Sequence, residues 1–379
     1  MKKPRLMTPG PSPVPEDVLL ALARPVIHHR SGEAVAVVRE VVEGLKYAFQ
    51  TRNDILILAA SGTGSMEAAV VNTVPPGSRA IVLDAGWFSS RWGVLCRTFG
   101  AEPIVLTTEW GRPVDPETVA NALKAHPEAV AVFGTLSETS TGTGHPVEAI
   151  GRIVAATPSI FVVDGISGVG AMECRTDDWG VDVLCVGSQK ALMMPPGLAF
   201  LAVSPKAWAR VDAFDSASYY FNLKTARKSM KEFATPFTPA HTLIGGLKVA
   251  LDRIKAEGIE AVWARHARMS HACRAGVEAL GLEMFSSNPA EGMTVFRVPG
   301  GLKDSEIRAG LSDRFGITTI GGQDRLKGQI IRVGHMGYMD ELDVVAGLAA
   351  LEMVLDDLGH PVEPGSAVAA AQRALIGKT

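Results

Sequence analysis

Between residues 55 and 203 the chain reads as seven short apolar runs, at 55–59, 80–84, 102–106, 129–133, 160–164, 182–186 and 198–203. Between most of them lie stretches with apolar residues at helical spacing, at 65–74, 88–99, 115–126 and 147–156. Runs of this length with little polar alternation read as strands covered on both faces. Parallel neighbours need long crossovers, and the helical stretches supply them. The pattern predicts an α/β fold with a large, mainly parallel, seven-stranded sheet. An amphipathic helix at 32–50 precedes it, with Val35, Val38, Val42, Leu45 and Phe49 on one side.

The flanks differ from this core. Residues 1–30 carry prolines at 4, 9, 11, 13, 15 and 25, so they predict an irregular segment with one short helix at 16–23. Residues 31–250 form the large α/β domain. A long helical region at 242–280, broken near Gly258, leads into a strand at 293–298, a helix at 303–315, strands at 318–321 and 329–333, and a helix at 340–358. That order predicts a smaller C-terminal α+β domain over 251–365. Residues 366–379 read as a partly loose tail. At roughly 150 residues per domain, 379 residues suggest two or three domains.

Composition excludes several classes. With 47% hydrophobic and 20% charged residues the chain reads as folded and globular. A net charge of −3 offers no basic field for a nucleic acid. Lys2 and Lys3 are not followed by an apolar signal segment, and no apolar run reaches transmembrane length. The four cysteines, Cys96, Cys174, Cys185 and Cys273, form no C-x-x-C pair and no cluster with histidine. A cytoplasmic protein with reduced thiols, no metal, no membrane and no nucleic-acid partner is expected.

Ligands of open α/β sheets bind beyond the carboxyl ends of the strands. Three features fall there. Ser61-Gly62-Thr63-Gly64-Ser65 follows the first strand and opens a helix, which suits a phosphate. The competing reading is an ordinary capped turn. Gly62-x-Gly64 with Asp84 also imitates a dinucleotide fingerprint, but Glu67 stands where close packing wants a third glycine. Asp164 ends the apolar run Phe161-Val162-Val163. Buried there, it needs a cation or strong donors; a protonated pyridine nitrogen would serve, and so would the following turn. Lys190, in Gly187-Ser188-Gln189-Lys190, is followed by largely apolar sequence, which would lower its pKa and free its amine as a nucleophile. A phosphate cradle, a pyridinium partner and an amine are together what pyridoxal phosphate needs.

At this point the chain resembles the class V aminotransferases of fold type I, and within them the alanine–glyoxylate / serine–pyruvate aminotransferase group. The resemblance rests on "TPGPSPVP", "HHRSGE", "SGTGSMEAAVVN", "SETSTG", "VVDGISGVGA", "GSQKALMMPPG" and "IIRVGHMG", spread over residues 8 to about 337. It implies pyridoxal 5′-phosphate as cofactor, joined to Lys190, with Asp164 on the ring nitrogen. Gly62 and Thr63 match the phosphate-binding turn, Gln189 a further phosphate contact, and Thr139 a hydroxyl near the ring oxygen. Thr238 matches a residue given to the phosphate by the other subunit of a homodimer. Arg332 matches the arginine that grips the substrate carboxylate, and Gly10 lies in a loop lining that pocket. Phe88 falls where the family stacks an aromatic ring on the cofactor, with Trp87 beside it. Thr235 stands where the family has an aromatic that closes the site.

The implied reaction is transamination between an amino acid and a 2-oxo acid, with Lys190 moving the Cα proton. No second arginine is assignable to a substrate side chain; Arg30 is the one candidate, and a structural role in the His28-His29-Arg30 turn competes with it. Alanine or serine as donor and glyoxylate or pyruvate as acceptor are therefore expected, with an aspartate-type aminotransferase as the alternative. A desulfurase would need a cysteine on a mobile loop, whereas Cys273 falls in a predicted helix. An NAD-linked oxidoreductase leaves Lys190 and Asp164 without roles. His335 lies close to Arg332, as a pocket residue or a packed one.

Overall fold

In the strand Ile160–Asp164, Phe161 and Val163 enter one apolar layer while Ile160 and Val162 enter the other. Successive side chains of a strand point to opposite faces, and here both faces are covered. The same division holds for Ile57 against Leu56, Ile81 against Val82, and Phe200 against Leu201. A computed structural model, describing residues 2–377, joins these strands into one seven-stranded sheet. Its order is Asp54–Leu58, Ala199–Val203, Val183–Gly187, Ile160–Asp164, Ala131–Thr135, Arg79–Asp84, Glu102–Thr107. Only Ala199–Val203 runs against its neighbours; the other ladders are parallel.

Several boundaries differ from the sequence reading. The helix expected from 65 begins at Gly62, so the glycine-rich stretch is its first turn. The strand expected at 129–133 lies at Ala131–Thr135. The segment after residue 205 holds two helices, Pro205–Asp212 and Leu223–Met230. The long helical region divides at Gly258, whose φ of +90° suits glycine, into His241–Glu257 and Ile259–Ala279. Residue 250, the expected domain limit, falls inside the first of these.

The N-terminal segment is less irregular than its prolines suggest. Arg5–Leu6 pairs in parallel with Ile317–Thr318, and Met7 enters the C-terminal apolar cluster. The strand expected at 318–321 is accordingly split. Ile317–Thr318 takes the N-terminal strand, while Ile320–Gly321 joins a three-stranded sheet with Ile330–Gly334 and Met293–Arg297. The expected tail also contains a helix, Ser366–Leu375, packed on Ile259–Ala279 with Ala367 and Ala371 buried. Its start is capped from outside: the Glu352 carboxylate accepts from the N–H groups of Gly365 at 2.6 Å and Ala367 at 3.0 Å. Residues 378 and 379 of that tail lie outside the described residues.

Candidate active site

Strand parity places the first group. Asp164 shares the face of Ile160 and Val162, the face covered by Met66, Ala69 and Val70 of the helix Gly62–Thr73. The carboxylate therefore emerges at the strand's carboxyl end beside that helix's N-terminus. A cavity of about 460 Å³ opens there. Gly62, Thr63, Phe88, Thr139, Asp164, Gln189 and Lys190 all line it, from five separate stretches of chain. Arg91, Ile166 and Ser167 line it too and were not foreseen.

One end of the cavity is built for an anion. Ser61 is extended and makes no side-chain cap, so it leaves the first amides of a 12-residue helix to another acceptor. A Cβ on Gly62 would meet the Ile166 side chain at 2.5 Å, so any larger residue would force Ile166 to shift. Gln189 Oε1 and the Gly62 nitrogen flank one point, 2.9 and 3.4 Å from where a Cβ on Gly187 would stand. That Gln189 oxygen is buried with no partner among the described residues; as an acceptor it awaits a donor, so it is the N–H side of the amide that a phosphate would use. Arg91 adds positive charge: its Nη1 donates to Thr63 Oγ1 at 2.8 Å, and its guanidinium lies 5.2 Å from the centre of the Phe88 ring.

The other end holds two groups with displaced titrations. Asp164 is 5% exposed, and one oxygen accepts from the Ile166 N–H at 2.8 Å. Burial pushes its carboxyl up to about 7, against the pull of that N–H, Arg91 and Lys190. Lys190 borders the cavity, but the protein packed around its amine lowers it to about 8; Asp164 opposes that shift and Arg332 adds to it. Its Nζ donates to the Pro9 carbonyl at 2.5 Å, and its own carbonyl accepts from Ser12 Oγ at 2.6 Å.

Glu138 is fully buried and organises the loops between these ends. Its carboxylate accepts from the N–H of Phe88 at 3.3 Å, of Ser89 at 2.8 Å and of Ser140 at 3.0 Å, and from the Ser140 hydroxyl at 2.7 Å. This carboxylate fixes the Phe88 backbone at the rim; Phe88 lines the cavity whereas Trp87 is 42% exposed. Thr139 turns its hydroxyl to Ser167 at 2.6 Å and its carbonyl to Arg332 Nη1 at 3.0 Å. Arg332, 2% exposed, also donates through Nε and Nη2 to the Gly321 carbonyl, at 3.0 and 2.8 Å.

The remaining expectations are placed as follows. Gly10, at φ +124°, lies against Lys190, and a Cβ there would overlap the Lys190 side chain. Thr238 does not line this cavity; with Thr235 and Phe237 it borders a separate groove of about 420 Å³. Arg30 is exposed, lines no part of the cavity and forms no ion pair among the described residues. His335 is fully buried and bonded to Thr294 at 2.9 Å, with burial lowering it to about 3, so it is a neutral, packed histidine. Cys273 is buried inside the helix Ile259–Ala279, where burial raises its thiol to about 11. Asp84 stands outside the cavity. Among the described residues no group of potential metal ligands occurs, and no helix is long and apolar enough to cross a membrane.

An anion cradle, a carboxyl able to face a ring cation and a partly neutral amine suit a phosphorylated pyridine aldehyde. Sequence and structure comparisons agree. The family model "Aminotransferase class-V" matches residues 8–345. A relative named soluble hydrogenase, small subunit, from Synechococcus sp. is 43% identical, covering 98% of each chain. Two further relatives are 35% identical over 97% of this chain. One is named L-aspartate–glyoxylate aminotransferase, from Paracoccus denitrificans (95% of its length), the other serine–glyoxylate aminotransferase, from Hyphomicrobium methylovorum (93%). The solved structure of pyridoxamine–pyruvate aminotransferase from Mesorhizobium loti has a TM-score of 0.95 at 29% identity, covering 100% of each chain.

Proposed function

This chain belongs to the class V aminotransferase family, and we propose that it transfers the amino group of a small amino acid, alanine or serine, to glyoxylate or pyruvate. Members of the family use pyridoxal phosphate, and the donor set of the cavity fits that group. Bound there, the cofactor supplies a carbonyl that takes up the amino group and a ring that stabilises the charge left when the Cα proton departs.

The chain's own residues supply the rest. The amides of Gly62 and Thr63, with Gln189, hold the phosphate at the helix N-terminus. Asp164 keeps the proton on the ring nitrogen, since a buried carboxylate stabilises a cation it faces. Phe88 and Thr139 line the cavity where Phe88 would stack on a bound ring and the Thr139 hydroxyl would meet the ring oxygen. The Lys190 amine, lowered to about 8, would take the Cα proton and pass it to the carbonyl carbon that the cofactor supplies, because a base works best near the operating pH. Arg332 holds the substrate carboxylate and so aims the Cα–H bond at Lys190, while Gly10 keeps the pocket wall free of a side chain. In this reading residues 31–250 hold the cofactor and residues 251–365 hold the substrate carboxylate.

Thr238 supports a homodimer. It sits away from its own chain's cavity, in a groove rimmed by the exposed Tyr220, as a residue donated to a partner copy would. Four buried, unpaired cysteines suit a reducing cytoplasm. The small donor is favoured because Arg91 is committed to Thr63 and Phe88 and Arg30 lies elsewhere, so no second arginine is at hand for a substrate side chain.

The observation that carries the proposal is Lys190 and Asp164 sharing one cavity with an uncapped helix N-terminus. The test is the visible spectrum of the purified protein with L-alanine, L-serine, L-aspartate or L-glutamate added singly, without an oxo acid. Loss of the cofactor band with alanine or serine supports it. Loss with only aspartate or glutamate keeps the reaction and overturns the donor.

A further inference from the structure

Arg332 has five N–H groups, and their use is uneven. Nε and Nη2 share the Gly321 carbonyl, which consumes the side fork of the guanidinium. A carboxylate gripped at two points must then use the end fork, one N–H from Nη1 and one from Nη2. Nη2 has one N–H left over. Nη1 has none: it donates to the Thr139 carbonyl at 3.0 Å and to Gln323 Oε1 at 3.3 Å.

One of these acceptors has to yield. The Thr139 carbonyl cannot, because it is backbone in a buried loop fixed on both sides by Glu138 and Ser167. Gln323 can. It is a half-buried side chain, its bond is the longest of the four, and it lies in the turn 321–329 between Gly321 and Arg332. The turn itself is held without the amide, by backbone bonds from Leu326 to Gln323, Lys327 to Asp324 and Gly322 to Ile330. Turning the amide away therefore leaves the backbone intact.

We infer that Gln323 is a stand-in for the substrate carboxylate: its amide oxygen occupies Arg332 Nη1 in the free enzyme and gives up that place when the amino acid or oxo acid binds. This rests on the reading of Arg332 as the carboxylate site. A neutral amide suits the role, since it satisfies a buried N–H yet competes weakly with an ionised carboxylate. Gln323 is thus a positioning residue that keeps the guanidinium aimed while setting substrate affinity.

The test compares Gln323→Glu, Gln323→Leu and Arg332→Ala with the parent holoenzyme, by steady-state kinetics and by spectral titration with the amino donor. Gln323→Glu places a permanent carboxylate on Arg332 and should raise the KM and the titration midpoint about tenfold or more, with kcat within about threefold. Gln323→Leu removes the competitor and should leave KM at or below the parent value. If both Gln323 variants raise KM alike, or neither changes it, while Arg332→Ala raises it, the inference fails and the carboxylate site stands. If Arg332→Ala leaves KM unchanged, the carboxylate site itself fails. Should Gln323→Glu not fold, Gln323→Leu decides alone: a raised KM overturns the inference.

Discussion

The Lys190 amine donates to the carbonyl of Pro9 at 2.5 Å, across 181 residues of chain. The N-terminal segment is thereby packed against the lysine that borders the cavity. It is locked there by the Ser12 hydroxyl on the Lys190 carbonyl and by the pairing of Arg5–Leu6 with Ile317–Thr318. Lys190 is held ready by a group with no charge of its own, so the amine keeps the lowered titration that burial gives it.

Gly10→Ala should disable this arrangement. Its φ of +124° is a conformation L-residues rarely adopt, and the added Cβ would overlap the Lys190 side chain. A displaced lysine amine should cost about 10²-fold in kcat/KM. Kinetics with a visible spectrum would check this; a fully active variant would show that the pocket wall moves freely.

Asp164 and Lys190 should together contribute a dip in stability near neutrality in the cofactor-free protein. Asp164, at about 7 against 3.8 unfolded, holds a proton in the folded state that the unfolded chain has lost, so stability falls as pH rises through that interval. Lys190, at about 8 against 10.5, lacks a proton that the unfolded chain keeps, so stability returns as pH rises beyond 8. Melting temperatures of the parent minus those of Asp164→Asn should fall between pH 4 and 7. A flat difference would contradict the burial of Asp164.

Glu138→Ala should destabilise the chain by about 3 kcal/mol, because the buried N–H groups of Ser89 and Ser140 and the half-buried one of Phe88 lose their acceptor. Glu138→Gln should be milder, since its amide oxygen still accepts. Denaturant titration separates the two. Weaker cofactor retention in the Ala variant is also expected, as Phe88 loses its anchor.

Phe88→Ala should weaken cofactor binding by about tenfold, the worth of an aromatic contact of about 1.5 kcal/mol. Trp87→Ala should change it little, as that ring faces solvent. Equilibrium dialysis against the cofactor distinguishes them, and the reverse order would move the stacking role to Trp87.

Much of this was legible because local pattern and chemistry agree. Alternating layers in short apolar runs gave the sheet, and Asp164 and Lys190 are charged residues at apolar strand ends, where burial needs a reason. Arg91 was missed because an arginine three residues beyond Phe88, on a surface-looking helix, carries no local sign that it folds inward onto Thr63. Glu138 was quoted only as part of a motif, since its four donors come from two loops about fifty residues apart in sequence.

The sequence by itself determined the layered α/β class and singled out Lys190, Asp164 and the Ser61–Ser65 turn, which the structure brings to one cavity, because each stands out by period, polarity or helix-end chemistry within a few residues. Only the tertiary structure decided the N-terminal strand, the helix at Ser366–Leu375 and the occupancy of Arg332. Arg5–Leu6 has no sheet without Ile317–Thr318, Gly365 and Ala367 are capped by the distant Glu352, and the guanidinium shares its donors among Thr139, Gly321 and Gln323. A hydrogen bond between segments far apart in the chain leaves no periodic trace in either one, so it exists only once the fold has brought them together.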